Sequence, residues 1–227
     1  MRRIWLIPSW QEFCGLGLDA LPPFDLEGLE ARRVGEHVFV VSGIGPASGI
    51  TASLIGARSQ IDEMVLIGIA GGLPNVGLSL GEVVQASTDI LVDLGYSEGE
   101  RRVNLDRMQL DFLRADGRQW GCQFHCKSLD PHLATHAFAT VSQVTQKPLQ
   151  VEQLQSEFKV SVESMEGAYV GLACSLIGVP FGQVRAISNF IGPRDPATWQ
   201  IQPALKRLKA WLMGSVPELG AYLDGEA

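Results

Sequence analysis

Cysteine, basic side chains and long apolar runs are all scarce in this chain. Four cysteines among 227 residues do not predict a disulfide-stapled scaffold, and they favour a reducing compartment, the cytoplasm. No apolar run reaches the roughly 20 residues that a membrane-spanning helix needs. The start, Met1 to Pro8, is basic and then apolar like a signal peptide. No small-residue cleavage signal follows it, so we interpret it as a first buried strand.

The shortage of basic residues excludes a nucleic-acid binder. Lys and Arg number 18 against 25 Asp and Glu, a net charge of −7, so the chain lacks the basic surface that binding a phosphate backbone requires. A net negative charge is still compatible with a local site that binds an anionic small molecule. Hydrophobic residues make up 46% of the chain, which excludes disorder. A length of 227 residues fits one globular domain spanning 1–227.

Short apolar runs alternate with segments of helical spacing, which predicts an α/β fold with a largely parallel sheet covered on both faces. The predicted strands are Ile4–Ile7, His37–Ser42, Met64–Ile67, Glu82–Ala86, Phe138–Ser142 and Gln183–Ile187. The predicted helices are Gln11–Leu21, Pro46–Ile61, Met165–Ile177 and Pro203–Leu223, the last interrupted by Pro217. Residues 95–135 show no clear period, so we expect loops and short helices there.

Glycine-rich junctions follow three of the predicted strands. They are Ser42–Pro46, Gly68–Leu73 and Ser188–Gly192. Because ligands of α/β sheets bind outside the carboxyl ends of strands, we expect these junctions to meet at one crevice. Neither the dinucleotide fingerprint nor a Walker A sequence is present, and each junction by itself is equally compatible with a tight turn.

An acidic segment, Glu163–Ala168, precedes the third predicted helix and has two interpretations. Ser164 can cap the helix, with Glu166 complementing the positive end of its dipole. Alternatively, the Glu166 carboxylate accepts hydrogen bonds from two vicinal sugar hydroxyls while Met165 packs against the sugar ring.

Five segments, in this order, resemble the purine nucleoside phosphorylase and nucleosidase superfamily. They are Ser42–Gly45, Gly68–Leu73, Gly81–Val84, Glu163–Ala168 and Arg185–Asn189. Taken together in register, they are a far more specific signal than any one of them. Within the superfamily, the Glu163–Ala168 form and the tail from Ser188 to Trp199 are most similar to the futalosine hydrolases. The resemblance implies a three-layer αβα fold with a central mixed, mostly parallel sheet. It also implies a homo-oligomer and no metal or organic cofactor.

The resemblance also implies roles for particular residues. Glu166 matches the carboxylate that holds the ribose hydroxyls, Met165 the residue on the sugar, and Asn189 the residue that contacts the purine. Glu12 matches the carboxylate that activates water, whereas the neighbouring Phe13 cannot accept a proton. Ile44, Ala70 and Gly71 complete the expected substrate-binding set.

Two residues near the end of the resembling tail keep two interpretations each. Trp199 either closes over the substrate or anchors the core. Arg194 either neutralises a substrate carboxylate or pairs with Asp195.

The choice of nucleophile depends on whether phosphate can bind. Some phosphorylases of the superfamily carry an Arg and a Ser where this chain has Leu66 and Ile69, and phosphate in an aliphatic pocket is uncompensated. Arg185 can rescue phosphate binding or form an internal salt bridge. Water is therefore the predicted nucleophile, deprotonated by Glu12, with Glu166 stabilising an oxocarbenium-like ribosyl transition state.

The base preference depends on Asn189. Nucleosidases for 6-aminopurines generally have an Asp there, whereas a neutral amide suits a 6-oxopurine such as hypoxanthine; Asn189 can also simply cap a turn. The expected activity is hydrolysis of futalosine to hypoxanthine and dehypoxanthine futalosine, in menaquinone biosynthesis. The alternatives are another purine nucleosidase, a phosphorylase, or a nucleoside-binding sensor without turnover.

Cysteines and histidines between positions 122 and 136 superficially resemble a zinc site. They are Cys122, His125, Cys126, His132 and His136. The separation between the cysteine pair and the histidine pair is much shorter than in a zinc finger, so we predict no metal site.

Overall fold

The structure, a computed structural model, describes residues 2–26, 28–58, 60–193 and 195–223. The strands are β1 (Arg3–Ile7), β2 (Ala31–Val34), β3 (His37–Val41), β4 (Glu63–Gly72), β5 (Val83–Leu91), β6 (Gly95–Glu98), β7 (Arg101–Asn104), β8 (Leu113–Ala115), β9 (Arg118–Trp120), β10 (Gln123–His125), β11 (Ala134–Thr140), β12 (Val162–Ser164) and β13 (Phe181–Phe190). The helices are α1 (Trp10–Gly15), α2 (Pro46–Arg58), α3 (Pro148–Ser156), α4 (Gly167–Ile177), α5 (Ile201–Ser215) and α6 (Gly220–Leu223).

Alternating side chains of the central strands pack against helices on both faces of the sheet. On one face, Trp5 of β1 and Ile67 of β4 pack with Phe13 of α1 and Leu208 of α5. On the other face, residues of β1 and β4 such as Leu6 pack with residues of α2 and α4. Because both faces of these strands are covered, their sequences read as continuous apolar runs rather than alternating ones.

The sheet is mixed and its central strands carry helices on both faces, which confirms the α/β class. Strands β2, β3, β1 and β4 lie side by side, with β1 parallel to both β3 and β4. Beyond β4, the sheet closes on itself through the sequence of neighbours β4, β13, β5, β11, β12 and back to β4. The prediction of stacked layers around an open sheet did not include this closed ring.

Bends in the strands make the closure feasible. Pairing of β13 with β4 shifts register between Ile187 and Asn189, and pairing of β11 with β5 shifts between His136 and Ala137. Such bulges bend a strand and increase its twist. Glycine at Gly71 and Gly72, where β4 changes its neighbour to β12, removes the side chains that would obstruct the turn into the ring.

The helix and strand predictions succeeded in the apolar segments and failed in the polar ones. The prediction of loops and short helices for residues 95–135 is wrong, because β6 to β10 and the start of β11 lie there. The predicted first helix ends early, at Gly15, since Gly17 has a positive φ of 77° and turns the chain. Pro217 interrupts the last helical segment as predicted.

Candidate active site

A cavity of about 370 Å³ lies where the carboxyl ends of β1, β4 and β13 meet the amino end of α4. A smaller cavity of about 70 Å³ shares part of its wall, including Gly71, Glu163 and Asn189. The eight residues that the sequence assigned to the site all line the larger cavity: Glu12, Ile44, Ala70, Gly71, Met165, Glu166, Asn189 and Trp199.

The start of α1 holds the Glu12 carboxylate at the cavity. Ser9 and Glu12 form a capping box, in which the Ser9 hydroxyl accepts from the Glu12 N–H at 3.2 Å. In return, Glu12 Oε2 accepts from the Ser9 N–H at 3.1 Å and from its hydroxyl at 2.6 Å. Glu12 Oε1 accepts from the Ile69 N–H of β4 at 2.9 Å. With both oxygens held, the carboxylate has a fixed position between α1 and β4.

Burial raises the pKa of Glu12 above its ordinary value of 4.5, because desolvation disfavours the charged form. The positive charge of Arg185 and the hydrogen bonds from Ser9 and Ile69 act in the opposite direction, and the Glu166 charge adds to the increase. The adjacent Phe13 is fully buried in the core and stacks on Trp10 at 5.5 Å. Of the two neighbouring candidates, Glu12 is therefore the one that faces the cavity.

A buried ion pair forms the opposite part of the wall. Arg185 of β13 and Glu166, which precedes α4, are 1% and 4% exposed, and Arg185 Nη2 donates to Glu166 Oε2 at 2.9 Å. Glu166 also accepts from the N–H groups of Gly45 and Met165, each at 3.3 Å. Charges this deeply buried require such partners. The alternative in which Ser164 caps α4 is wrong, since Ser164 lies in β12 and its hydroxyl has no partner among the described residues.

Gly68 separates the two charged parts of the wall. It pairs with Arg185 across β4 and β13. A Cβ at Gly68 would lie 2.5 Å from Glu12 Oε1 and 2.6 Å from Arg185 Nη1. The missing side chain therefore leaves the space that the tips of a carboxylate and a guanidinium share beside the backbone of β4.

Asn189 lies at the bulge of β13, opposite Gly71 of β4. Its Oδ1 accepts from the Ser188 hydroxyl at 2.9 Å, and its Nδ2 donates to the Phe190 carbonyl at 3.2 Å. Both partners are chain neighbours, so the amide is oriented locally at the edge of the cavity.

Glu163 also lines both cavities and was not predicted as a site residue. It is 4% exposed, and its Oε1 accepts from the Thr145 N–H at 2.9 Å. Its other oxygen, Oε2, is buried without a hydrogen-bond partner among the described residues. Burial raises the pKa of Glu163 above its ordinary value of 4.5, against the opposing effect of Thr145 and Arg102.

The rest of the wall is largely apolar. Met165 and Ala70 lie within it, and Ile44, 55% exposed, lies at its mouth. Trp199 is half-buried and follows the turn Pro196–Thr198, in which the Ala197 N–H donates to Asp195 Oδ1 at 3.1 Å. Arg194, considered above as a partner for a substrate carboxylate, lies outside the described residues.

Among the described residues that line the larger cavity, Arg185 is the one cation, against three carboxylates. Leu66 packs in the core against residues of α2 and α4 and does not line this cavity, whereas Ile69 does. Of the two interpretations of Arg185, the internal salt bridge is the one present, although the guanidinium also reaches the cavity wall.

Behind the start of α4 lies a fully buried carboxyl group, that of Asp89 in β5. It accepts from the Thr140 hydroxyl at 2.6 Å and from the Gln183 amide at 3.0 Å. The Thr140 hydroxyl oxygen accepts in turn from the Ala168 N–H in the first turn of α4, at 2.9 Å. Burial raises the pKa of Asp89 from 3.8 to about 6.

Comparison with known proteins places the chain in a family. The model of the phosphorylase superfamily matches residues 30–212. The chain belongs to the phosphorylase superfamily. The matched residues include the Glu166, Arg185 and Asn189 positions, whereas Glu12 precedes them.

Two curated relatives of this superfamily member carry hydrolase or nucleosidase names. Futalosine hydrolase from Thermus thermophilus is 31% identical over 182 residues, which cover 75% of this chain and 77% of the relative. The 5′-methylthioadenosine/S-adenosylhomocysteine nucleosidase from Colwellia psychrerythraea is 28% identical over 173 residues, covering 72% and 70%. The prediction of an enzyme, a hydrolase of N-glycosyl compounds, is confirmed by these relatives.

Solved structures share the fold. A futalosine hydrolase mutant of Helicobacter pylori superimposes with a TM-score of 0.75 at 18% identity, covering 96% of this chain and 100% of that one. Within the described part of this superfamily member, none of the helices combines the length and apolar character that crossing a bilayer requires. The described residues also contain no group of three or more His, Cys, Asp or Glu placed to hold a metal ion.

Sequence signals existed for some of the residues that were missed. The Ser9-x-x-Glu12 spacing is a capping-box pattern, and it would have identified Ser9 as the residue that positions Glu12. Asp89 had no such signal, and Glu163 opens the Glu163–Ala168 segment without any feature that assigned it a role. Glu163 is two positions before Met165 in a three-residue strand, and Asp89 depends on contacts with residues more than 50 positions away.

Proposed function

We propose that this chain is a purine nucleosidase that hydrolyses the N-glycosidic bond of futalosine, releasing hypoxanthine and dehypoxanthine futalosine. The observation that carries the proposal is the pair of buried carboxylates, Glu12 and Glu166, in one cavity whose one described cation is bound to Glu166. A carboxylate whose pKa is raised is suited to proton transfer, and a carboxylate held by a guanidinium and N–H groups is suited to binding hydroxyls.

Glu12 acts as the general base in this proposal. Its carboxylate takes a proton from water as the water oxygen forms a bond to C1′. The C1′–N9 bond breaks, its electron pair leaves with the purine, and the purine is protonated from solvent. The raised pKa brings Glu12 closer to the working pH, where proton transfer by a carboxylate is most effective.

Glu166 acts on the sugar. Its carboxylate accepts from the ribose hydroxyls, and its negative charge stabilises the positive charge that develops at C1′. Arg185 donates to the Glu166 carboxylate and orients it from behind. Met165 supplies an apolar surface for the ribose, and Ile44, Ala70 and Gly71 bound the sugar and base.

Water, rather than phosphate, is the proposed nucleophile. Three carboxylates and one guanidinium line the described wall, and that guanidinium is already paired with Glu166. Binding a phosphate dianion there requires several donors that are not already bonded to a carboxylate. Bringing the dianion into this wall uncompensated has a large desolvation cost.

Asn189 supports a 6-oxopurine as the base. Its amide is neutral and can donate to N7 or to the 6-oxo oxygen of hypoxanthine, and it can stabilise the departing purine without protonating it. Trp199 is proposed to close over the substrate. The futalosine hydrolase of Thermus thermophilus supports this substrate, whereas the Colwellia nucleosidase supports a 6-aminopurine nucleoside as the second candidate.

The deciding experiment is base release from futalosine, inosine and the 6-amino analogue of futalosine, each with and without inorganic phosphate. We expect hypoxanthine release from futalosine to be fastest and independent of phosphate. Faster release of adenine would favour the second candidate. Ribose 1-phosphate formation would indicate a phosphorylase, and binding without turnover would indicate a nucleoside sensor.

The biological setting is also proposed. We expect a single-domain protein in the cytoplasm that acts in menaquinone biosynthesis and assembles as a homo-oligomer. Exposed apolar side chains on α2 and α4, namely Ile50, Leu54 and Leu176, support self-association. Sedimentation velocity tests the oligomeric state.

A further inference from the structure

We infer that Glu163 is a specificity-determining residue, whose second carboxylate oxygen accepts a hydrogen bond from the N1–H of a 6-oxopurine ring. The inference rests on the proposed function, since it concerns the base of the nucleoside that the enzyme cleaves. It gives a role to Glu163, which opens the Glu163–Ala168 segment but to which the sequence assigned no role.

The first observation is the bonding of the Glu163 carboxylate. Oε1 accepts from the Thr145 N–H at 2.9 Å, while Oε2 is buried with no hydrogen-bond partner among the described residues. Glu163 is only 4% exposed, so water does not readily take the place of that partner. Buried polar atoms in native proteins are nearly always satisfied, and an exception that lines a cavity points to a ligand group.

The second observation is the position of Glu163 relative to Asn189. Glu163 of β12 pairs with Gly71 of β4, and Gly71 pairs with Asn189 of β13. Neighbouring strands lie about 4.8 Å apart, so the two Cα atoms are about 10 Å apart with a glycine between them. Both side chains line the same two cavities. This spacing allows a carboxylate and an amide to hold two edges of one planar purine.

The chemistry of the two groups selects the same base. A carboxylate only accepts, and N1 of a 6-oxopurine carries a hydrogen, whereas N1 of a 6-aminopurine is an acceptor. A 6-aminopurine would therefore place a lone pair against the Glu163 oxygen. Sites built to pair with a substrate N–H discriminate strongly against an analogue that lacks it, because a buried polar group is then unpaired.

A network behind Glu163 holds it in place. Arg102, 7% exposed, donates from Nη1 to the Thr145 hydroxyl at 2.8 Å and from Nη2 to the Gln143 carbonyl at 3.4 Å. Thr145 thus links a buried guanidinium to the Glu163 carboxylate. The network fixes one carboxylate oxygen, and the other has no hydrogen-bond partner among the described residues of a side chain that lines the cavity.

The test is Glu163→Gln, which retains an acceptor for the Thr145 N–H and places an amide N–H₂ where Oε2 was. We expect kcat/KM for 6-oxopurine nucleosides, relative to 6-aminopurine nucleosides, to fall by roughly 10- to 100-fold. Competitive inhibition should change in parallel, with hypoxanthine binding more weakly and adenine more tightly. Glu152→Gln, the same substitution at an exposed position of α3, is the matched control and should leave both ratios unchanged.

The outcomes separate the inference from the proposed function. If the wild-type enzyme cleaves no 6-oxopurine nucleoside, the proposed function fails. If it does cleave them and Glu163→Gln leaves the ratio unchanged, Glu163 is purely structural and the inference alone is overturned. If Glu163→Gln does not unfold cooperatively, the variant is not properly folded, and the inference is tested by inhibition of the wild-type enzyme instead. Replacing N1 of hypoxanthine by carbon should weaken inhibition at least tenfold, and equal inhibition overturns the inference.

Discussion

Replacing Asp89 with asparagine tests the electrostatics behind α4 with little change in size or shape. Asparagine retains an oxygen for the Thr140 hydroxyl, and its N–H₂ can donate to Gln183 Oε1 once the Gln183 amide rotates. That oxygen has no partner in the described structure. Any gain or loss from this exchange of hydrogen bonds is the same at every pH. The pH-dependent part of the effect therefore belongs to the Asp89 charge alone.

The size of the pH-dependent effect on the free energy of unfolding follows from the pKa of Asp89. An aspartate ordinarily has a pKa of 3.8, and that of Asp89 in the folded protein is about 6. The folded state binds the proton more tightly, so this contribution to stability is fully present below pH 3.8 and is lost as the pH rises through about 6. The difference between 3.8 and about 6 in the pKa of Asp89 corresponds to about 3 kcal/mol. Roughly 1 to 2 kcal/mol of this is lost between about pH 5 and about pH 8.

The assay is urea denaturation of the wild-type protein and Asp89→Asn at several pH values across that window. Taking the difference cancels the other titrating groups, and we expect the variant to gain about 1 to 2 kcal/mol relative to wild type as the pH rises. Asp25→Asn, at an exposed position, is the control and should show no such trend. A difference that does not vary with pH would refute the raised pKa of Asp89.

Four further variants test residues of the cavity. Glu12→Gln should lower kcat by ~100- to 10,000-fold with KM nearly unchanged, measured as base release at saturating substrate; full activity would remove Glu12 as the base. Arg185→Gln leaves Glu166 buried without its cation, which we expect to destabilise the protein by about 3–5 kcal/mol in urea titrations. The same variant should move the acid limb of the kcat/KM profile to higher pH, since Arg185 lowers the pKa of Glu12; an unmoved limb contradicts this coupling. Glu166→Ala should raise KM and lower kcat together, and a wild-type profile would exclude its sugar contact. Asn189→Asp should increase the ratio of 6-amino to 6-oxo turnover, and an unchanged ratio would refute the argument for its neutral amide.

The sequence predicted the apolar framework and the meeting of the strand ends. Runs such as Met64–Ile67 are buried on both faces, and a buried parallel strand has few other interpretations. The glycine junctions predicted that these strand ends meet at one crevice. The family resemblance added Glu12, Glu166 and Asn189 to it, and the structure places all three in the wall of one cavity.

The polar hairpins of residues 95–135 could not be predicted from periodicity. All residues of β6 are exposed, so that strand has no buried face and no alternating pattern. One local signal was overlooked. Asp116 and Gly117, with φ of 49° and 72°, join β8 to β9 in a two-residue turn that favours such Asp-Gly pairs.

The closed ring depends on interactions that sequence spacing does not encode. It requires the register shift beside Ser188 and the pairing of Val162 and Glu163 with Gly72 and Gly71, some 90 positions earlier in the chain. Leu66 illustrates the same limit for the site, since its side chain belongs to the core beneath α2 and α4.

Substitution of Gly68 is expected to affect catalysis more than it affects folding. A methyl group there would meet the tips of two long side chains rather than main chain, and such tips can swing aside. Gly68→Ala can therefore yield a well-folded protein whose base and whose ribose-binding carboxylate have lost their common alignment. Screens that select only for expression or thermal resistance would pass such a variant, and only a turnover assay would reveal the damage.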